Sequence, residues 1–145
     1  MTRHLSTVLL IAVSPLFAVI LTVTPAAAAS SPLHAGCWVV VAPDDAATLD
    51  NADEVLCVEA SGHASIRESS IYGEGVKGCN VVTIRSQGGK LLIDIDYKRC
   101  TNDAPSHKLT CGAPAPSGAY PCVQVMAGGS SQGSPVKLAP LPPGQ

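Results

Sequence analysis
Hydrophobic and polar positions alternate in short runs along most of this chain, with turn residues between them. Cys37-Trp38-Val39-Val40-Val41 is aromatic and β-branched and predicts a first strand. Pro43 to Asp53 is a turn-rich acidic loop, and Glu54-Val55-Leu56-Cys57-Val58-Glu59 a second strand with acidic ends. Ala60 to Gly78 shows no sustained period; within it, 64–70 predicts one helical turn. The clearest pattern runs from Asn80 to Tyr97. Asn80–Ser86 and Leu91–Tyr97 both alternate, joined by Gln87-Gly88-Gly89-Lys90. A Gly-Gly pair suits a two-residue hairpin turn, because both centres can take positive φ. Pairing Gln87 with Lys90 sets Ile84 against Ile93, Val82 against Ile95, Thr83 against Asp94, Val81 against Asp96 and Arg85 against Leu92. Branched aliphatics then share one face, and a slip of one residue would scatter them. Lys108–Cys111 predicts a short edge segment, Gly112–Pro121 a loop, and Cys122–Met126 a last strand. Residues 127–145 are Gly/Ser-rich and then Pro-rich, with Lys137 as the one charge, and predict a disordered tail with a short polyproline stretch.

The pattern therefore predicts an all-β fold: a small antiparallel sheet, sandwich or partial barrel of five to six strands, held by disulfides. Its expected organisation is a signal peptide over 1–29, one β domain over 30–126 and the tail over 127–145.

The first residues carry the address. Arg3 precedes an apolar run from Val8 to Val23, and Pro25 leads into Ala26-Ala27-Ala28-Ala29. A basic start, an apolar run and an A-x-A site describe a secretory signal peptide cut before Ala29 or Ser30. A membrane anchor is the competing reading, but the run is short for a span and holds Pro15. Leu33-His34-Ala35-Gly36-Cys37 has the look of a lipoprotein box, yet Leu33 stands one position too far from Cys37. The expected location is secreted or periplasmic, with no membrane contact after cleavage.

All six cysteines (Cys37, Cys57, Cys79, Cys100, Cys111 and Cys122) follow that segment. An even count in an exported chain reads as three disulfides. No C-x-x-C occurs, and His34, His63 and His107 have no ligand spacing, so no metal and no cofactor are expected. Six cysteines permit fifteen pairings. The hairpin register makes Cys100 the diagonal neighbour of Cys79, about 7–8 Å away, which a bulge or fraying can close. Cys111 and Cys122 enclose ten residues with three prolines. Cys37 with Cys57 follows by elimination.

Candidate chemistry is sparse. Ser61-Gly62-His63-Ala64-Ser65 sets a hydroxyl near an imidazole, without the G-x-S-x-G elbow. Asp94 and Asp96 project from one strand face with Asp103 nearby; such carboxylates can hold Ca²⁺ or serve a glycosidase, or form a solvated face beside Lys98 and Arg99. Trp38 reads as core. Formal net charge is -2 for the whole chain, which gives no reason to expect a nucleic-acid partner. Six acids and no base lie between Trp38 and Ala60, whereas six bases face three acids between Lys77 and Lys108.

Three segments together resemble an uncharacterised family of small bacterial periplasmic proteins, a domain of unknown function: Gly36-Cys37-Trp38-Val39-Val40, Cys57-Val58-Glu59, and Gly78-Cys79-Asn80 running to Lys98-Arg99-Cys100. This chain departs from that pattern in placing Cys37 before Trp38, and in having Cys111, Cys122 and the Pro tail where final strands are expected. The resemblance implies an exported β fold and no known activity. The expected function is a non-enzymatic exported binding protein, such as an envelope factor, inhibitor or immunity-type protein, acting on a protein or envelope ligand. The alternative is a small disulfide-stapled hydrolase using Asp94, Asp96 or His63.

Overall fold
In the computed structural model, which describes residues 31–101 and 103–144, eight antiparallel strands form one sheet. They are β1 (Gly36–Val41), β2 (Glu54–Val58), β3 (Ala64–Ser69), β4 (Val81–Gln87), β5 (Lys90–Asp96), β6 (His107–Cys111), β7 (Tyr120–Met126) and β8 (Ser134–Pro140). Their order is β3-β2-β1-β8-β7-β6-β5-β4, and the sheet curls until its end strands β3 and β4 lie side by side. The result is a nearly closed barrel.

The seam between β3 and β4 has no backbone ladder. Asn80 closes it instead. Its Oδ1 accepts from the Ile66 N–H and its Nδ2 donates to the Ile66 carbonyl, both at 2.8 Å. One side-chain amide thus stands in for a neighbouring residue of strand. Nδ2 also donates to the Val76 carbonyl at 2.6 Å, tying the 3-10 turn Gly73–Val76 to the seam.

Alternation places Trp38, Val40, Leu56, Ile66, Ile93, Ile95, Leu109 and Leu138 inside, all nearly or fully buried. The interior is packed side chain and not a pore, as expected of an eight-stranded barrel. A second apolar layer lies outside β1, β2 and β8. Val39, Val41, Val55, Cys57 and Ala139 are covered there by Ala47 and Ala52 of the acidic loop, by Ala119 and by Leu141. That double burial explains why β1 reads as an unbroken run of valines rather than an alternating strand.

The β4–β5 register is the one the sequence predicts, from Gln87↔Lys90 to Val81↔Asp96, and both turn glycines have positive φ. Three disulfides are present: Cys37–Cys57, Cys79–Cys100 and Cys111–Cys122. Cys37–Cys57 and Cys111–Cys122 join directly opposed ladder partners. Cys79 and Cys100 reach a Cα separation of 5.2 Å because the chain turns after β5, with the Cys100 N–H on the Tyr97 carbonyl. No free cysteine remains among the described residues.

Four expectations are corrected. The segment expected as a disordered tail supplies β8, which pairs with both β1 and β7 near the middle of the sheet. Its Val136, Leu138 and Ala139 are buried, so neighbours supply the apolar contact that the segment lacks by itself. Lys108–Cys111 is no edge: β6 lies between β5 and β7. Of residues 64–70, expected as a helical turn, Ala64–Ser69 form β3, because Ala64 and Ile66 complete the interior next to Leu56 and Val58. The strand count is eight, not five to six. The expected signal peptide over 1–29 lies outside the described residues.

Candidate functional site
The start of β2 carries an acid where alternation demands an inward residue. Glu54 shares its face with Leu56 and Val58, and both its ladder partners, Val40 and Ser69, are buried. Its carboxylate crosses the barrel. Oε1 accepts from the Tyr97 hydroxyl at 2.6 Å, and Oε2 lies 2.9 Å from His107 Nε2. His107 opens β6 and shares its face with Leu109 and Cys111. Neither the glutamate nor the histidine side chain has any exposed surface.

A buried carboxylate is tolerable only when donors replace its water. Tyr97 supplies one and the imidazole the other. His107 Nδ1 is buried without a partner among the described residues. The hydrogen-bond network therefore assigns the imidazole proton to Nε2, since a bare acceptor costs less there than an orphaned N–H. Burial, and then the Glu54 charge, push the Tyr97 phenol far above the usual tyrosine range. Tyr72, edge-on to Tyr97 at 5.6 Å between centroids, is raised for the same reasons. Asp53, beside Glu54, is raised by burial and by the Glu54 and Asp45 charges.

A groove lies across β5–β7 at the same end of the barrel. It holds about 320 Å³ and is lined by Asp94, Asp96, Lys98, Ser106, His107, Lys108, Val125, Met126 and Ala127. Asp94 pairs with Arg85 of β4 and with Lys108 of β6. Asp96 accepts from the Lys98 N–H at 2.9 Å and from Ser106 Oγ at 3.0 Å. These bonds, with the nearby Lys98 and Arg99 charges, hold its carboxyl below the usual aspartate range.

The residues singled out from the sequence therefore separate. Asp94 and Asp96 share the groove, and Asp103 is absent from its lining. Ser61 and His63 sit exposed on the β2–β3 turn, where Ser61 Oγ donates to Glu59 and accepts from the His63 N–H. Trp38 is core, 1% exposed, with its indole N–H on the His34 carbonyl. The described residues contain no group of three or more His, Cys, Asp or Glu placed to hold a metal ion.

Glu54, Tyr97 and His107 escaped the sequence reading. Position parity held the signal: each falls in register with inward aliphatics of its own strand or of the residues just before it. Chemically the three place the Tyr97 hydroxyl and the His107 imidazole on the two oxygens of one carboxylate, with the Glu54 and His107 side chains fully buried. Comparison of the chain with protein-family models, with curated proteins and with solved structures finds no match.

Proposed function
We propose that the protein is an exported, non-enzymatic binding protein that meets its partner through the outer face of β4–β7. The observation that carries this reading is the division of polar groups. Inside the barrel, the Glu54 carboxylate is taken up by Tyr97 and His107, and the Glu54 and His107 side chains have no exposed surface. Outside, β4–β7 present an uncovered face with Thr83, Arg85, Lys108, Thr110 and Val123 exposed, while β1 and β2 are roofed by loops.

A hydrolase built on Asp94 and Asp96 has less support. Acid catalysis needs one carboxyl that keeps its proton near neutral pH. Asp96 is shifted the opposite way and is occupied in holding the turn after β5.

Export rests on the basic start, the apolar run and the Ala26–Ala29 cluster, with three disulfides as the chemistry of an oxidising compartment. The described residues contain no helix long and apolar enough to cross a membrane. Strands of five to seven residues are shorter than the roughly 9–11 of membrane barrels, and their outer face carries Arg85, Asp94 and Lys108. The periplasm is the compartment we favour, in line with the resemblance of the three cysteine-bearing segments to small periplasmic proteins.

The test is capture from the envelope fraction with the mature protein as bait, beside Val123→Asp. Val123 is 41% exposed, so the change alters the face and spares the core. A partner retained by the native protein and lost with the variant supports the proposal. Turnover of a small substrate without any face-dependent partner overturns it.

A further inference from the structure
Two carboxylates of β5 meet four cations: Arg85 of β4, Lys108 of β6, and Lys98 and Arg99 of the turn that follows β5. Asp94 is bridged by Arg85 and Lys108, and Asp96 faces the charges of Lys98 and Arg99. Over these six groups the patch has a positive excess of two: Asp94, Asp96, Lys98 and Lys108 line the groove, and Arg85 and Arg99 stand beside it. Although paired with Asp94, the Lys108 side chain is 71% exposed and that of Arg85 47% exposed. On the far side of Lys108 from Arg85, the groove lining is apolar, with Val125, Met126 and Ala127. The opposite wall of the barrel is acidic. Asp44, Asp45 and Asp50 stand exposed on the loop that roofs β1 and β2. A negatively charged partner is repelled from that wall and steered toward this one.

We propose that the groove over β5–β7 binds an acidic peptide segment, seating one aliphatic side chain on Val125, Met126 and Ala127 and its carboxylates on Lys98 and Lys108. This rests on the binding-protein reading and names the partner's chemistry. The groove is at the small end of ligand sites, which suits one side chain rather than a folded domain. A polyanion without apolar groups, such as a nucleic acid or a sulfated glycan, leaves the floor unused. The lining also offers no exposed aromatic ring on which a base can stack.

The experiment titrates isotope-labelled mature protein, at low salt, with three probes: a pentapeptide of one leucine flanked on each side by two acids, its lysine counterpart, and heparin. The acidic peptide is expected to give saturable shifts at Lys98, Lys108 and Val125–Ala127, with a Kd below about 1 mM. The double variant Lys98→Glu, Lys108→Glu is expected to weaken it by about tenfold or more while leaving the thermal midpoint within a few degrees. No shift at these residues, equal binding of the lysine peptide, or tighter binding of heparin to the same residues each overturns the proposal. If Val123→Asp abolishes partner capture while the acidic peptide fails to bind, the peptide class is wrong and the binding reading stands. If capture is indifferent to the face as well, both fall.

Discussion
Glu54 on β2 meets His107 on β6 at 2.9 Å, and the two strands stand four places apart in the sheet order whichever way round the barrel is followed. The pair is a strut between opposite walls, with Tyr97 bound to the second carboxylate oxygen. Removing the carboxylate strands two polar groups in a dry interior. Glu54→Ala leaves two buried neutral donors unsatisfied and is expected to cost about 2–6 kcal/mol, about 1–3 for each. Tyr97→Phe removes one of the two donors to a buried carboxylate and is expected to cost about 1.5–3 kcal/mol, the range for a hydrogen bond to a charged group. Glu54→Gln keeps an acceptor and gains a donor, so it should fall between them. Urea midpoints at constant m-value check the order. Equal, small effects for all three variants would show that the strut carries no load.

The same cluster sets the behaviour of the protein in alkali. Because Tyr97 is raised, the folded chain holds that proton more tightly than the unfolded chain does. Its contribution is complete below about pH 10, where unfolded tyrosine ionises, and is lost as pH rises further. Absorbance at 295 nm near pH 10.5 should show fewer tyrosinates in native than in denatured protein. Tyr97→Phe should shrink that difference.

In acid the sign reverses. Asp96 is lowered, so its contribution is present above the unfolded aspartate pKa and disappears as pH falls from there through the lower folded value. Asp53 is raised and works the other way, favouring the fold most below that point. Asp96→Asn is expected to flatten the acid limb of the stability curve, and Asp53→Asn to raise stability at neutral pH. Chemical denaturation between pH 2.5 and about 7 measures both.

Two glycine positions separate turn geometry from packing. At Gly133, φ is +65° and an added Cβ would lie 2.5 Å from the Gln124 carbonyl oxygen. Gly133→Ala should destabilise by well over about 1 kcal/mol, since both strain and backbone collision oppose it. At Gly88, φ is +58° with open space around it. Gly88→Ala there carries the conformational cost alone, about 1 kcal/mol. Thermal melts rank the two.

The β4–β5 hairpin was readable because turn chemistry and alternation are both local and agree. Ile93→Asp should therefore unfold the protein, Ile93 being 0% exposed, whereas Asp94→Asn should be mild. The hairpin register brings Cys79 and Cys100 only to diagonal neighbours and leaves the other pairings open, because the turn at Tyr97–Cys100 that closes the gap has no local signature in the sequence. What stayed hidden depends on distant neighbours. Ser134–Pro140 has two apolar inward residues and prolines at positions 135 and 140, and becomes a strand because β1 and β7 leave a gap of that width. Glu54 reads as a solvated strand end until Tyr97 and His107 arrive from the far wall. The groove escaped likewise, since Met126 and Ala127 reach Lys98 only through the order of β5, β6 and β7.

Partner capture by native protein, Glu54→Gln and Val123→Asp, side by side and each verified as folded, tests the central claim most directly. That claim is that the polar groups inside the barrel hold it together and the face outside does the work. The account expects Glu54→Gln to retain the partner and Val123→Asp to lose it. Loss with Glu54→Gln and retention with Val123→Asp would contradict it.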